Sequence, residues 1–183
     1  IGAHMSVPLT LTTGEVYGMF CCLSPHPNKT LNERDLQVMR MFAEIAAGQI
    51  GGELSERRRL DAMRDKIEQT IARSAFKLVF QPLVDFDTRE IVAFETLCRF
   101  AGEPYRSPDV WFREAASLGL GVELELAVLA RAGEAFRALP EEVYLGLNAS
   151  PDTILSGRLD NVLRDFPPGR MVIEVTEHAP VRD

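Results

Sequence analysis

From residue 76 onward, short apolar runs alternate with amphipathic stretches. The runs at 76–84 and 91–100 read as strands joined across Asp87 and Thr88. Helical periodicity follows at 108–118 and 122–139, then a strand at 143–148, a helical stretch at 153–166 and a strand at 171–177. The order strand, helix, strand, helix, strand predicts parallel βα units with right-handed crossovers. The earlier part of the chain reads differently. Apolar runs at 7–11 and 16–23 flank the turn signal Thr13-Gly14, which predicts a hairpin. Thr30 and Glu33 have capping-box spacing, and Leu36, Met39, Phe42, Ala43, Ala46 and Ile50 then follow a helical period. Gly51 and Gly52 are placed to end or soften that helix. Residues 53–74 are rich in charge, with Leu60, Met63, Ile67 and Ile71 forming a narrow seam. This is the pattern of a linker helix; two heptads or so leave a dimeric coiled coil, and so a homodimer, open. The expected organisation is thus 1–52, a linker helix at 53–75, and an α/β region at 76–183.

Three of the strand runs each contain one polar residue that breaks the pattern: Glu95, Asn148 and Glu174. Side chains alternate between faces along a strand. Glu95 therefore shares a face with Arg99, Asn148 with Tyr144 and Gly146, and Glu174 with Val172 and Thr176. The opposite faces are mostly apolar, carrying Phe94, Cys98 and Phe100, then Val143, Leu145 and Leu147, then Met171, Ile173 and Val175. A buried carboxylate is costly unless paired, and a metal ion is a common solution. Three oxygen-donor side chains on successive strands point to a site. Read alone, Glu95 and Glu174 also fit salt-bridged core carboxylates with Arg99 as one partner, and Asn148 fits a helix cap.

Composition narrows the class. The chain has 183 residues, 46% hydrophobic and 26% charged, as in an ordinary globular protein. A net charge of −7 argues against a broad DNA-binding surface, and Arg57, Arg58 and Arg59 read as a solvated helix face. Cys21, Cys22 and Cys98 form no paired framework and fit a reducing, cytoplasmic compartment. Cys21 and Cys22 read as small core residues of a strand, and Trp111 and Phe112 as the core face of a helix. No apolar run reaches transmembrane length, and no signal peptide is evident.

Four motifs in order resemble one family. They are Phe80-Gln81-Pro82-Leu83-Val84, Phe94-Glu95-Thr96-Leu97-Cys98-Arg99-Phe100, Leu147-Asn148-Ala149-Ser150-Pro151 and Ile173-Glu174-Val175-Thr176-Glu177. Over 76–183 the chain resembles the first half of an EAL domain, the family of cyclic di-GMP phosphodiesterases. The triplet that gives the family its name reads Glu95-Thr96-Leu97, a departure at a middle residue that points away from the Glu95 face. Residues 1–50 resemble the C-terminal part of a GAF domain, a small-molecule sensor, through residues 2–8, the turn at 13–18 and the capped helix.

The resemblance implies a partial TIM-type (β/α) barrel preceded by a linker helix and the end of an α+β GAF fold. Active-site residues of such barrels lie at the C-terminal ends of strands. It implies Glu95, Asn148 and Glu174 as oxygen ligands of one or two Mg²⁺ or Mn²⁺ ions, Gln81 and Arg99 as contacts to cyclic di-GMP, and Glu177 as the anchor of an active-site loop. The implied reaction opens the cyclic dinucleotide to linear pGpG, under control of an unidentified GAF ligand. The family's paired aspartates, catalytic lysine and later glutamate would lie beyond Asp183, so no turnover is expected from these 183 residues alone. The rival implication is an inactive EAL domain serving as a dinucleotide receptor or protein-interaction module.

Overall fold

A computed structural model describes residues 1–102, 105–164, 166–167 and 169–176. The chain divides into two compact units, Ile1–Asp61 and Ala62–Asp183. In the first, β1 (Ala3–Thr10) and β2 (Val16–Ser24) pair antiparallel around the turn in which Gly14 takes a φ of 84°. Helix α1 (Glu33–Ala72) begins in this unit and lays Met39 and Ala43 against Val7, with Met5, Leu9, Phe20 and Leu36 around them.

Three expectations change here. The cap of α1 is Asn32, not Thr30. The Asn32 side chain accepts from the Arg34 N–H at 2.9 Å, while the Asp35 carboxylate accepts from the Asn32 N–H at 3.0 Å. Asn32 and Asp35 thus form the reciprocal box, and the Thr30 hydroxyl donates instead to Asn28. Cys21 and Cys22 are exposed, not core residues. They fall on opposite faces of β2, and neither face is covered at those positions. The helix also runs unbroken through Gly51 and Gly52, because two glycines cost about 2 kcal/mol of propensity and forty residues of continuous hydrogen bonding outweigh that.

In the second unit, β3 (Phe76–Val84) and β4 (Ile91–Phe100) form an antiparallel hairpin that sets Gln81 opposite Glu95. Its turn is held by Asp85, whose Oδ1 accepts the N–H groups of Asp87 and Thr88 at 2.9 and 2.8 Å. Those bonds hold the Asp85 carboxyl below the usual carboxylate range. Helices α2 (Pro108–Ser117) and α3 (Gly121–Phe136) lead to β5 (Tyr144–Ala149). The short helices α4 (Pro151–Leu155) and α5 (Leu159–Leu163) lead to β6 (Met171–Val175). The helical stretch expected at 153–166 is split because Gly157, at φ 68°, turns the chain between them.

The sheet order is β3-β4-β5-β6, with β4, β5 and β6 parallel. This is the expected α/β architecture of a partial barrel. One face is closed by helices. Leu145 and Leu147 are fully buried against Leu126, Leu129, Ala132 and Phe136 of α3, with Phe94, Met171 and Ile173 beside them. A second cluster joins Cys98 and Phe100 to Trp111, Ala115 and Leu124. Phe100 stacks on Trp111 at 4.8 Å, and Phe112 meets Phe100 edge-on. The last turns of α1 belong to this second core. Ile67 is 1% exposed within it, Met63 and Ile71 flank it, and Lys66 lies 4.9 Å above the Trp111 ring. Among the described residues no helix is long and apolar enough to cross a membrane.

Candidate functional site

The sheet face turned away from the helices carries the polar residues. Parallel pairing sets Glu95 beside Gly146, and Asn148 beside Glu174. Asn148 and Glu174 are the penultimate residues of β5 and β6, and Glu95 lies midway along β4. Asn148 Nδ2 donates to Glu95 Oε1 at 3.3 Å. Gly146, between them on β5, leaves room for the second carboxylate. A Cβ at that position would come within 3.2 Å of Glu174 Oε1 and 3.6 Å of the Glu95 Cα. A mid-strand glycine marks such a close approach. Glu95, Asn148 and Glu174 therefore converge.

The burial expected for the two strand carboxylates is only partly present. Glu95 is half-buried, and Glu174 is exposed. Their desolvation cost is correspondingly smaller than that of fully buried acids. Gln81 is exposed and faces Glu95 across the hairpin. Arg99 is exposed two same-face positions beyond Glu95, and its guanidinium donates to the Cys98 carbonyl at 2.8 Å. No ion pair joins Arg99 to Glu95 or Glu174 among the described residues. Behind Arg99, burial pushes the Cys98 thiol up to about 12, so it stays protonated at neutral pH. Glu177 lies outside the described residues.

The donor set is two carboxylates and one amide oxygen. Such hard oxygen donors suit Mg²⁺ or Mn²⁺ and give no soft-metal site. The room above Gly146 keeps the Glu174 carboxylate on the same side as Glu95, so these residues fit a hard cation. Among the described residues no three His, Cys, Asp or Glu side chains gather as a metal group.

Two contributors escape a sequence reading. Gly146 carries a weak signal, as a glycine inside a strand. Glu125, on α3, accepts from the Ser150 N–H and hydroxyl at 2.8 and 2.9 Å. Nothing local marks it among the helix's other glutamates.

The EAL domain family model matches residues 64–183, and the GAF domain model matches residues 1–50. No curated protein matches the chain. Several solved EAL domains are similar in fold. The FimX EAL domain of Xanthomonas citri, in complex with cyclic di-GMP, is 19% identical with a TM-score of 0.56, covering 67% of this chain and 52% of that one. Bd1971, an EAL enzyme bound to cAMP and cyclic di-GMP, is 16% identical with a TM-score of 0.52, covering 81% and 44%. An EAL domain protein of Listeria monocytogenes EGD-e is 22% identical with a TM-score of 0.50, covering 63% and 50%. The chain spans about half the length of the structures it matches. With a family model covering residues 64–183 and a sheet whose polar face gathers Glu95, Asn148 and Glu174, the chain belongs to the EAL domain family.

Proposed function

We propose that the protein containing this chain is a metal-dependent phosphodiesterase that hydrolyses cyclic di-GMP to pGpG, with a GAF sensor at residues 1–50 controlling it through α1. The observation that carries this reading is the convergence of Glu95, Asn148 and Glu174 on one open face of the sheet. Glu95, Asn148 and Glu174 would hold one or two Mg²⁺ or Mn²⁺ ions. When bound, such ions supply an activated water and neutralise phosphate oxygens.

The chain's own residues have separate tasks. Asn148 orients the Glu95 carboxylate through its amide N–H and keeps its oxygen for the cation. Arg99 offers a planar fork to a phosphate, and its bond to the Cys98 carbonyl holds the guanidinium near the strand. Gln81, opposite Glu95, offers an amide to the nucleotide. In the net reaction, water's hydroxyl joins phosphorus and the bond to the ribose 3′ oxygen breaks. The remaining proton ends on that oxygen, giving linear pGpG.

A receptor reading has one observation in its favour. The FimX EAL domain of Xanthomonas citri, similar in fold, is solved in complex with cyclic di-GMP. Hydrolysis of cyclic di-GMP by a protein carrying the whole barrel, with and without Glu95→Ala, separates the two. Product that disappears with Glu95→Ala supports the enzyme. Tight binding without product supports the receptor.

A further inference from the structure

We infer that Glu125 is a positioning residue, whose carboxylate fixes the turn after β5 and thereby sets the Asn148 amide against Glu95. Glu125 is half-buried on α3, and both of its recorded bonds go to Ser150, two residues after Asn148. One is to the backbone N–H at 2.8 Å and one to the hydroxyl at 2.9 Å. The Ser150 hydroxyl in turn accepts from the Thr153 N–H at 3.3 Å and so caps α4. From the other side, the Thr176 N–H reaches the Ala149 carbonyl at 3.1 Å, which extends the β5–β6 pairing past its last residue. The two residues following Asn148 are thus pinned from α3 and from the end of β6.

That pinning matters because the bond it serves is long. At 3.3 Å, the Asn148–Glu95 contact lies at the outer edge of useful hydrogen-bond length, and a few tenths of an ångström decide whether it exists. A carboxylate is also more than the cap of α4 requires, since Ser150 already supplies that cap. Two bonds to one acceptor, one of them from the main chain, fix where β5 ends. Groups that orient a ligand side chain typically change metal affinity about 10–100-fold when removed. The weight of Glu125 for catalysis rests on the proposed metal reading; its structural action on Asn148 does not.

The test is heteronuclear NMR of the 183-residue chain, reading the Asn148 side-chain NH₂ pair without metal and during titration with Mn²⁺. In Glu125→Leu the metal-free pair is expected to move toward the shifts of a free amide. The midpoint of Mn²⁺ broadening at Asn148 should rise about 10-fold or more. Glu125→Gln, whose amide oxygen can accept both bonds, is expected to retain the wild-type pair. Ser150→Ala, which keeps the backbone bond, should fall between. The Trp111 indole signal and the β5 backbone amides report that the fold persists. An unmoved Asn148 pair in folded Glu125→Leu overturns the inference. Should that variant not fold, an unmoved pair in Ser150→Ala overturns it equally. Movement of the pair in Glu125→Leu, with no Mn²⁺ broadening at Asn148 in the wild-type chain, supports the Glu125 role and contradicts the metal reading.

Discussion

Replacing Thr96 by Val tests which way the middle residue of the family's name-giving triplet points. Thr96 lies between Glu95 and Leu97 on β4 and is 6% exposed, on the face packed by helices. Its hydroxyl oxygen has no hydrogen-bond partner among the described residues. A buried, unpartnered polar group costs about 1–3 kcal/mol. Valine keeps the β-branched shape and the volume, so strand propensity and packing stay unchanged while the orphan group is removed. Thr96→Val should therefore stabilise the second unit by about 1–3 kcal/mol. Thr96→Ala removes the same hydroxyl but leaves a methyl-sized gap worth about 1 kcal/mol, so its gain should be smaller. Urea unfolding followed by the fluorescence of Trp111, the chain's one tryptophan, reads this unit directly, because Trp111 sits in the core beside β4. The urea midpoint should rise with an unchanged slope. Neither variant should alter Mn²⁺ or dinucleotide binding, since the side chain faces away from Glu95. Unchanged or lower stability in Thr96→Val would mean that the hydroxyl has a partner in solution and is not an orphan.

Other outcomes follow from the packing and the titrating groups. A Cβ at Gly133 would lie 2.8 and 3.0 Å from Cε2 and Cζ of the Phe166 ring, which is itself 4% exposed. The helix propensity gained by Gly133→Ala is about 1 kcal/mol, against about 1–3 kcal/mol for overpacking, so urea unfolding should show net destabilisation. Adding Phe166→Leu should make the pair non-additive in the favourable direction. Cys98 should resist thiol reagents at neutral pH while the exposed Cys21 and Cys22 react. Because its folded-state value is pushed up to about 12, the unfolded chain loses that proton first. The Cys98 contribution is intact below the unfolded value, near 8.5, and falls by up to about 1.4 kcal/mol per pH unit as pH rises toward the folded value. Cys98→Ala should remove that part of the alkaline slope in pH-dependent unfolding. An identical slope in both proteins would contradict the assignment.

Much of this architecture is legible in the sequence because the signals are local. The strands at 76–84 and 91–100 match β3 and β4 at both ends, where alternation is long and a turn rich in Asp and Thr separates them. The sheet face of Glu95, Asn148 and Glu174 follows from a period of two once the strands are located. What the sequence hides are choices between near-equal local options and contacts distant in sequence. Thr30 and Asn32 are both competent caps, and only the position of Asp35 selects Asn32. Gly51 and Gly52 read as an end or a soft point of the helix, but hydrogen bonding on both sides carries α1 across them. The exposure of Cys21 and Cys22 depends on what covers a two-stranded sheet. The bond from Glu125 to Ser150 spans 25 residues, and no spacing rule announces it.

The decisive measurement is hydrolysis of cyclic di-GMP by a protein that carries the whole barrel, with Mg²⁺ or Mn²⁺ and a Glu95→Ala control. Metal-dependent formation of pGpG is expected, and it is lost in Glu95→Ala while that variant remains folded. Undiminished pGpG formation by folded Glu95→Ala would contradict the assignment of Glu95, Asn148 and Glu174 as the metal-holding group.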